Sequence, residues 1–370
     1  MGRDVVVVGG GIIGCSIALR LAQSGLKVAV IERGRIGREA SWAAAGMISP
    51  QTEASGPGPF FDLCLRSRSL YPEFTAEVTE LSGIDVEYRD QGSFCIQLTE
   101  DDRSHARQWT TWQNEAGLRI ESIPLDTLHQ LEPAVTESAT GAVFVPSDHQ
   151  VENRRLMQGL ELALRRLGVE VIEEQTATEL TVERNRVTGI LCGAQRLDPG
   201  LVVIAAGCWS GELLEPAGLN VGTIPARGQM VALKGAGSPI NHVLHSSKCY
   251  VIPRLDGRIL VGATVEYVGF QKGITAGGIS SLLAAAIELA PGLTSCEIVE
   301  AWSGLRPDTS DHLPILGPSG VDNLLLATGH FRNGILLAPI TAELIAATIS
   351  GGGPILELIP FSIARFHRTF

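Results

Sequence analysis

Continuous apolar runs and short alternating runs divide this chain into two kinds of segment. Asp4–Val8 is a β-branched run that stops at Gly9, and Lys27–Ile31 is a second that stops at Glu32. Runs without polar alternation read as strands covered on both faces of a parallel sheet. Between them, Ile12–Gln23 has helical periodicity and closes at Ser24-Gly25, with Gly in its usual place past a helix end. The opening therefore predicts strand, Gly-rich turn, helix and strand, a βαβ unit. Leu201–Ala206, ending at Gly207, and Leu324–Thr328 read as further buried strands. Asn153–Leu167 is amphipathic and leads through Gly168 into a strand at Val169–Ile172, while Thr341–Ile349 predicts a helix rich in Ala and Ile.

Alternation replaces the apolar runs in Arg89–Thr99, Glu121–Pro146 and Gly228–Ala263, as an antiparallel sheet requires. Helical stretches lie between, for example Asp101–Ala116, where Trp109 and Trp112 are three apart and are expected on one helix face. In Gly228–Ala263 the runs QMVALKG, CYVIPR and RILVGAT read as paired strands. Arg154, Arg165 and Arg166 read as solvated helix charges. No repeat or low-complexity tract interrupts the pattern. It predicts an α/β protein. A Rossmann-like domain (residues 1–80, 150–225 and 300–370) is interleaved with an α+β domain built on an antiparallel sheet (81–149 and 226–299).

Composition narrows the function. The 370 residues carry 29 Lys+Arg against 40 Asp+Glu, a net charge of −11, and are 45% hydrophobic. Disorder needs low hydrophobicity with high net charge, and a nucleic-acid partner needs a basic field; neither is expected here. No apolar run approaches the ~18 residues of a membrane span, and MGRDVVVVGGG leaves no room for a signal peptide. A cytoplasmic protein without membrane contact is expected. The seven cysteines are odd in number, far apart and without a CxxC pair, so reduced buried thiols are expected and no disulfide or metal site.

Gly9-x-Gly11-x-x-Gly14 follows a strand and opens a helix, the setting in which this spacing binds a dinucleotide. Gly9 permits the tight turn, Gly11 admits a pyrophosphate to the backbone, and Gly14 lets the helix pack on the sheet. Glu32 ends the second strand, where an acid accepts hydrogen bonds from ribose hydroxyls and disfavours NADP. NAD and FAD both remain open on this fingerprint. Gly235-Ala236-Gly237 and Gly351–Gly353 do not form a second one, so the electrons are expected to come from an organic substrate.

Three further segments carry a family resemblance: Ser41-Trp42-Ala43-Ala44-Ala45-Gly46-Met47, Trp302–Pro307 leading to Pro314–Gly317, and Gly329–Leu336 with its GHFRNGIL run. With the opening motif they closely resemble the D-amino-acid-oxidase superfamily, and within it the glycine oxidases of thiamine biosynthesis. The resemblance runs from the first strand to the last helix. It implies non-covalent FAD and oxidation of the C–N bond of small amines bearing a carboxylate. Glycine, N-alkyl glycines and some D-amino acids would give an imine, and dioxygen would give hydrogen peroxide. The implied FAD contacts are Ile12, Ile13, Glu32, Arg33, Ala40 and Ser41, then Ala45, Gly46 and Met47. Ala177 is implied on the adenine side, Ala206 and Gly207 at a second turn, and His330, Phe331, Arg332, Asn333, Gly334, Ile335 and Leu336 around the flavin. A homotetramer is also implied.

On the same resemblance Arg306 binds the substrate carboxylate, Arg332 is a second contact, Tyr250 closes the site, and Met47 and Val265 line it. A planar Arg fork suits a carboxylate. The expected mechanism is hydride transfer from the α-carbon of a neutral amine, with no general base; His245 and His330 are read as hydrogen-bonding groups. The stretch PDTSDHL after Arg306 holds no Cys for a covalent flavin link. Lys248 and Val265 depart from the family's His and Met, which favours a larger N-substituted substrate. Two alternatives stay open: an oxidase or dehydrogenase for a bulkier N-substituted glycine, and an FAD-binding subunit of a multi-subunit dehydrogenase.

Overall fold

The computed structural model describes residues 3–235, 240–352 and 356–366. The tracts Gly235–Gly237 and Gly351–Gly353 fall partly outside them. A six-stranded sheet forms the first half, in the spatial order 315–318, 324–328, 199–204, 3–8, 28–31, 170–172. All its neighbours run parallel except the first pair. The apolar opening strand is explained by its two covers. Val5 and Val7 pack under the helices Ile12–Gln23, Asn153–Arg166 and Gly334–Ser350. Val6 and Val8 pack against the three-stranded sheet Ala177–Glu183, Arg186–Cys192 and Gln195–Leu197.

An eight-stranded sheet forms the second half, in the order 297–308, 224–234, 258–262, 250–253, 243–245, 93–97, 141–145, 121–123. Its pairs are antiparallel except 243–245 with 93–97. Alternation sorts the side chains by face. Val231, Leu233, Val251 and Val261 bury against the helix Ala276–Leu289. Met230, Ala232, Ile252 and Leu260 point the other way, with Tyr250 and Ala45.

Several elements differ from the sequence reading. Glu297–Asp308 pairs along Ile224–Lys234 for its whole length, so the antiparallel sheet runs on to Asp308 and the boundary at 300 cuts a strand. The helix Pro59–Ser82, the three-stranded sheet and the helix Ala276–Leu289 are additional. The last helix starts at Gly334, continuous with the GHFRNG turn, and tolerates Pro339 within its first two turns. Phe331–Ser350 is long and apolar enough to cross a membrane, contrary to the reading of the runs, but 56% of its apolar window is buried inside the protein. It is packed against Ile12–Gln23 and Pro59–Ser82 as a core helix. Arg154 is not a free surface charge. Its guanidinium forks onto Glu300 at 2.8 and 2.9 Å and lies between the rings of Trp42 and Trp302. Arg165 pairs with Glu161 and Glu173 on the surface, and the seven cysteines are unpaired. Trp109 and Trp112 do share an inward helix face: Trp109 donates to the Gln51 carbonyl at 3.0 Å and Trp112 meets the Phe61 ring edge-on.

Candidate active site

A groove of about 440 Å³ runs between the two sheets, from the end of the parallel strands to the inner face of the antiparallel sheet. At its first end the backbone does the shaping. Gly9 sits at φ +110°, where a Cβ would meet the Ala205 carbonyl at 2.3 Å, and a Cβ on Gly14 would lie 1.9 Å from the Gly9 oxygen. Only Gly fits either place. Gly11 caps the helix that starts at Ile12, so the positive helix end faces the groove. Glu32 accepts from the Gly10 and Gly34 N–H groups at 2.8 and 2.9 Å. Burial raises its pKa and these bonds oppose the rise. Each oxygen keeps a lone pair for an incoming hydroxyl.

The middle of the groove is held by cross-links between distant segments. The Ser41 hydroxyl accepts from the Ile12 N–H at 2.9 Å, and Asn153 donates to the Ser41 carbonyl at 2.9 Å. Gly46, at φ +72°, turns the chain so tightly that a Cβ would stand 2.0 Å from the Val151 carbonyl. Buried Arg254 ties the same turn down by donating to the carbonyls of Ala45 at 2.7 Å and Val151 at 3.0 Å; burial pulls its pKa down to about 10.

Three polar side chains gather at the far end. Arg306 comes from the strand Glu297–Asp308 and donates to the Thr264 carbonyl at 3.0 Å. Its guanidinium crosses Gly228, where a Cβ would come within 2.2 Å of it. Tyr250 comes from the strand Tyr250–Pro253, with its hydroxyl against the Met230 sulfur at 3.2 Å. Burial raises its pKa despite Arg306 nearby, so the hydroxyl stays protonated. Arg332 comes from the turn before the last helix, where Phe331 holds φ +44°, costly for a bulky side chain.

All but two of the residues predicted at the cofactor line this groove: Gly9, Gly11, Ile12, Ile13, Glu32, Arg33, Ala40, Ser41, Ala45, Gly46 and Met47 on one side, and Ala177, Ala206, Gly207 and 330–335 on the other. Gly14 lies behind Gly9. Leu336 turns its side chain into the core, and its carbonyl accepts from Ser67 at 2.5 Å. Val265 lies outside as well, 43% exposed, in a second cavity of about 790 Å³ that also holds Lys248 at its rim, paired with Glu288. His330 is buried with Nε2 3.1 Å from the Thr341 hydroxyl, and burial pulls its pKa down to about 3. Burial, with Arg332 near, pulls His245 down to about 4. Both imidazoles are neutral near pH 7.

Residues absent from the sequence reading also enter the site. Trp209 stacks under the Arg33 guanidinium at 4.0 Å from the ring centre. Glu53 borders both cavities together with Tyr250, Ala263 and Arg332. It sits in a stretch, Ser49–Pro59, that carries no periodicity and reads only as loop.

A parallel sheet with a glycine turn, an acid ending the second strand and an attached antiparallel sheet define a dinucleotide-dependent oxidoreductase. The comparisons specify which. A family model described as FAD dependent oxidoreductase matches residues 4–348. The glycine oxidase of Pseudomonas aeruginosa is 36% identical over 98% of this chain and 99% of its own length. The bifunctional protein ThiO/ThiG of Synechocystis is 38% identical over 99% of this chain, which spans 54% of that longer protein. Among solved structures, the glycine oxidase of Geobacillus kaustophilus superposes with a TM-score of 0.95 at 32% identity, covering 98% of both chains. The chain belongs to this FAD-dependent oxidoreductase family and is an FAD-dependent amino acid oxidase by class. The groove fits FAD: its glycine cradle has no room for a Cβ, and Glu32 offers acceptors to a ribose.

Proposed function

We propose that this chain oxidises glycine and small N-alkyl glycines or D-amino acids to the imine, and on to the 2-oxo acid, with dioxygen reduced to hydrogen peroxide. One observation carries the reading: Arg306, Arg332 and Tyr250, from three separate elements, meet at one end of a groove whose other end is the glycine cradle. Arg306 binds the carboxylate as a fork, with Arg332 as a second cation and the Tyr250 hydroxyl as a neutral donor. Bound FAD, held without a covalent link, supplies the two-electron acceptor. The apolar wall of Ala45, Met47 and Met230 excludes water while the α-carbon is positioned. His245 and His330, neutral and buried, are not placed as bases.

The outer cavity supports a second reading, in which N-substituted glycines larger than sarcosine are the better substrates, because it shares Glu53, Tyr250, Ala263 and Arg332 with the groove. Thiamine biosynthesis as the pathway rests on the ThiO relatives. A homotetramer rests on the family resemblance, and a cytoplasmic location rests on the composition and the opening residues; light scattering checks the mass. The test of function is anaerobic bleaching of the holoenzyme by glycine, sarcosine, longer N-alkyl glycines, D-alanine and D-proline. Fast bleaching by glycine, with recovery and peroxide in air, is expected. Bleaching by bulky amines alone supports the second reading, and bleaching by none overturns both in favour of an incomplete dehydrogenase subunit.

A further inference from the structure

Glu53 stands on the segment between the short strand Met47–Ile48 and the helix Pro59–Ser82. That segment is held from below. Buried Asp148 accepts from the Thr52 N–H at 3.2 Å, from the Thr52 hydroxyl, and from the Ser93 hydroxyl at 3.2 Å. Arg68 donates to the Gln51 side chain at 2.9 Å, and the Glu53 N–H donates to the Ser49 carbonyl at 3.1 Å. The backbone is thus anchored, and the carboxylate projects to the junction of the groove and the outer cavity. Among the described residues it is the only acid bordering both. It makes no side-chain hydrogen bond or ion pair among the described residues, although Arg306 and Arg332 lie near enough to act on it through space. Glu53 is half-buried, and its carboxylate borders both cavities without a partner from the described chain, open to a positively charged group of a bound ligand.

The chemistry supplies a use for it. An amino acid arrives mostly as an ammonium zwitterion, and a protonated nitrogen has no lone pair with which to form a C=N bond. The two guanidiniums that attract the substrate carboxylate also disfavour a third cation beside them. The proton therefore has to leave the nitrogen before the α-carbon can give up hydride.

We propose that Glu53 is a catalytic residue that accepts the ammonium proton of the bound amino acid. The step rests on the oxidase reading above. An N–H bond of the ammonium breaks, its electron pair stays on nitrogen, and the proton bonds to a Glu53 carboxylate oxygen. The α-carbon then loses hydride to the bound acceptor as the nitrogen pair forms the C=N bond. Glu53 returns its proton to solvent through the outer cavity after product leaves. Burial raises the proton affinity of Glu53, against the pull of Arg332 and Arg306. That is the adjustment a carboxylate needs to act as a base near neutral pH.

The experiment is anaerobic stopped-flow reduction of the holoenzyme by sarcosine from pH 6 to 10, in wild type, Glu53→Gln and Glu53→Asp. Expected for Glu53→Gln is a loss of about 100-fold at pH 7 that shrinks steadily as the pH approaches the pKa of the free amine. Glu53→Asp should recover at least a tenth of the wild-type rate with a shifted midpoint, and it carries the test alone if the Gln variant loses flavin. A loss equal at every pH, or an unchanged profile, overturns the proposal and leaves Glu53 a structural residue. If wild type is reduced by no amine, the oxidase reading fails and the proposal falls with it.

Discussion

At the nucleotide end of the groove the fit is made by backbone from one short stretch; at the substrate end it is made by side chains from four. Gly9, Gly11, Gly14 and Glu32 lie within 24 residues of one another and form one βαβ unit. Glu53, Tyr250, Arg306 and Arg332 lie on a loop, two strands of the antiparallel sheet and a helix-leading turn. The first kind of site tolerates almost no added volume, because a carbonyl cannot move aside without breaking the sheet. The second tolerates volume but not a change of charge or direction. Binding of the cofactor and choice of the substrate are therefore separable by mutation.

Gly14→Ala should have the largest effect, since its Cβ would overlap the Gly9 carbonyl. The expected outcome is protein without flavin, destabilised by more than about 3 kcal/mol, read from the visible spectrum and thermal unfolding. Retained flavin would mean the turn can open and would weaken the contrast. Arg306→Lys should leave flavin content and melting temperature unchanged while the bleaching rate per unit substrate falls about 100- to 1,000-fold, as expected if Arg306 makes the proposed bidentate carboxylate contact. Loss of flavin instead would show that the two ends are coupled.

Gly228→Ala tests the substrate end more finely. The new methyl pushes the Arg306 guanidinium off its place over the strand; about a tenfold rise in KM is expected with kcat nearly intact, read by steady-state kinetics. The smallest predicted effect is a change in pH dependence. His245 and His330 have folded pKa values of about 4 and about 3, lowered by burial. Their contribution to stability is therefore complete above pH 6.5 and is lost as pH falls through the folded values. Asp148 is raised by burial to about 6, so its contribution is complete below pH 3.8 and is lost as pH rises through 6. Between pH 6 and 4 the two trends oppose each other. Asp148→Asn removes the compensating one, and its melting temperature should fall more steeply with acid than that of wild type. Parallel curves would show that Asp148 does not titrate there.

The parallel half was legible because its strands are buried on both faces: Val5–Val8 and Leu201–Ala206 are unbroken apolar runs that nothing exposed would carry. Pro59–Ser82 was not legible, since nine buried positions are spread among polar ones and Pro72 interrupts the pattern. The surface role expected for Arg154 failed for a related reason. Its charge is matched by Glu300, 146 residues away, and its stem is covered by Trp42 and Trp302, which no local pattern predicts.

Local residue order alone decided the nucleotide cradle. A turn between adjacent strand and helix has few conformations, and glycine spacing selects among them. It also brought Arg306, Arg332 and Tyr250 forward as candidates, through motifs rather than geometry. Tertiary structure alone decided that these three meet, that Val265 and Lys248 belong to an outer cavity, and that Glu53 faces both. Those facts depend on how two sheets stack across a groove, and the carboxylate of a loop residue acquires its environment only when Asp148, Arg68 and the arginines arrive from elsewhere in the chain.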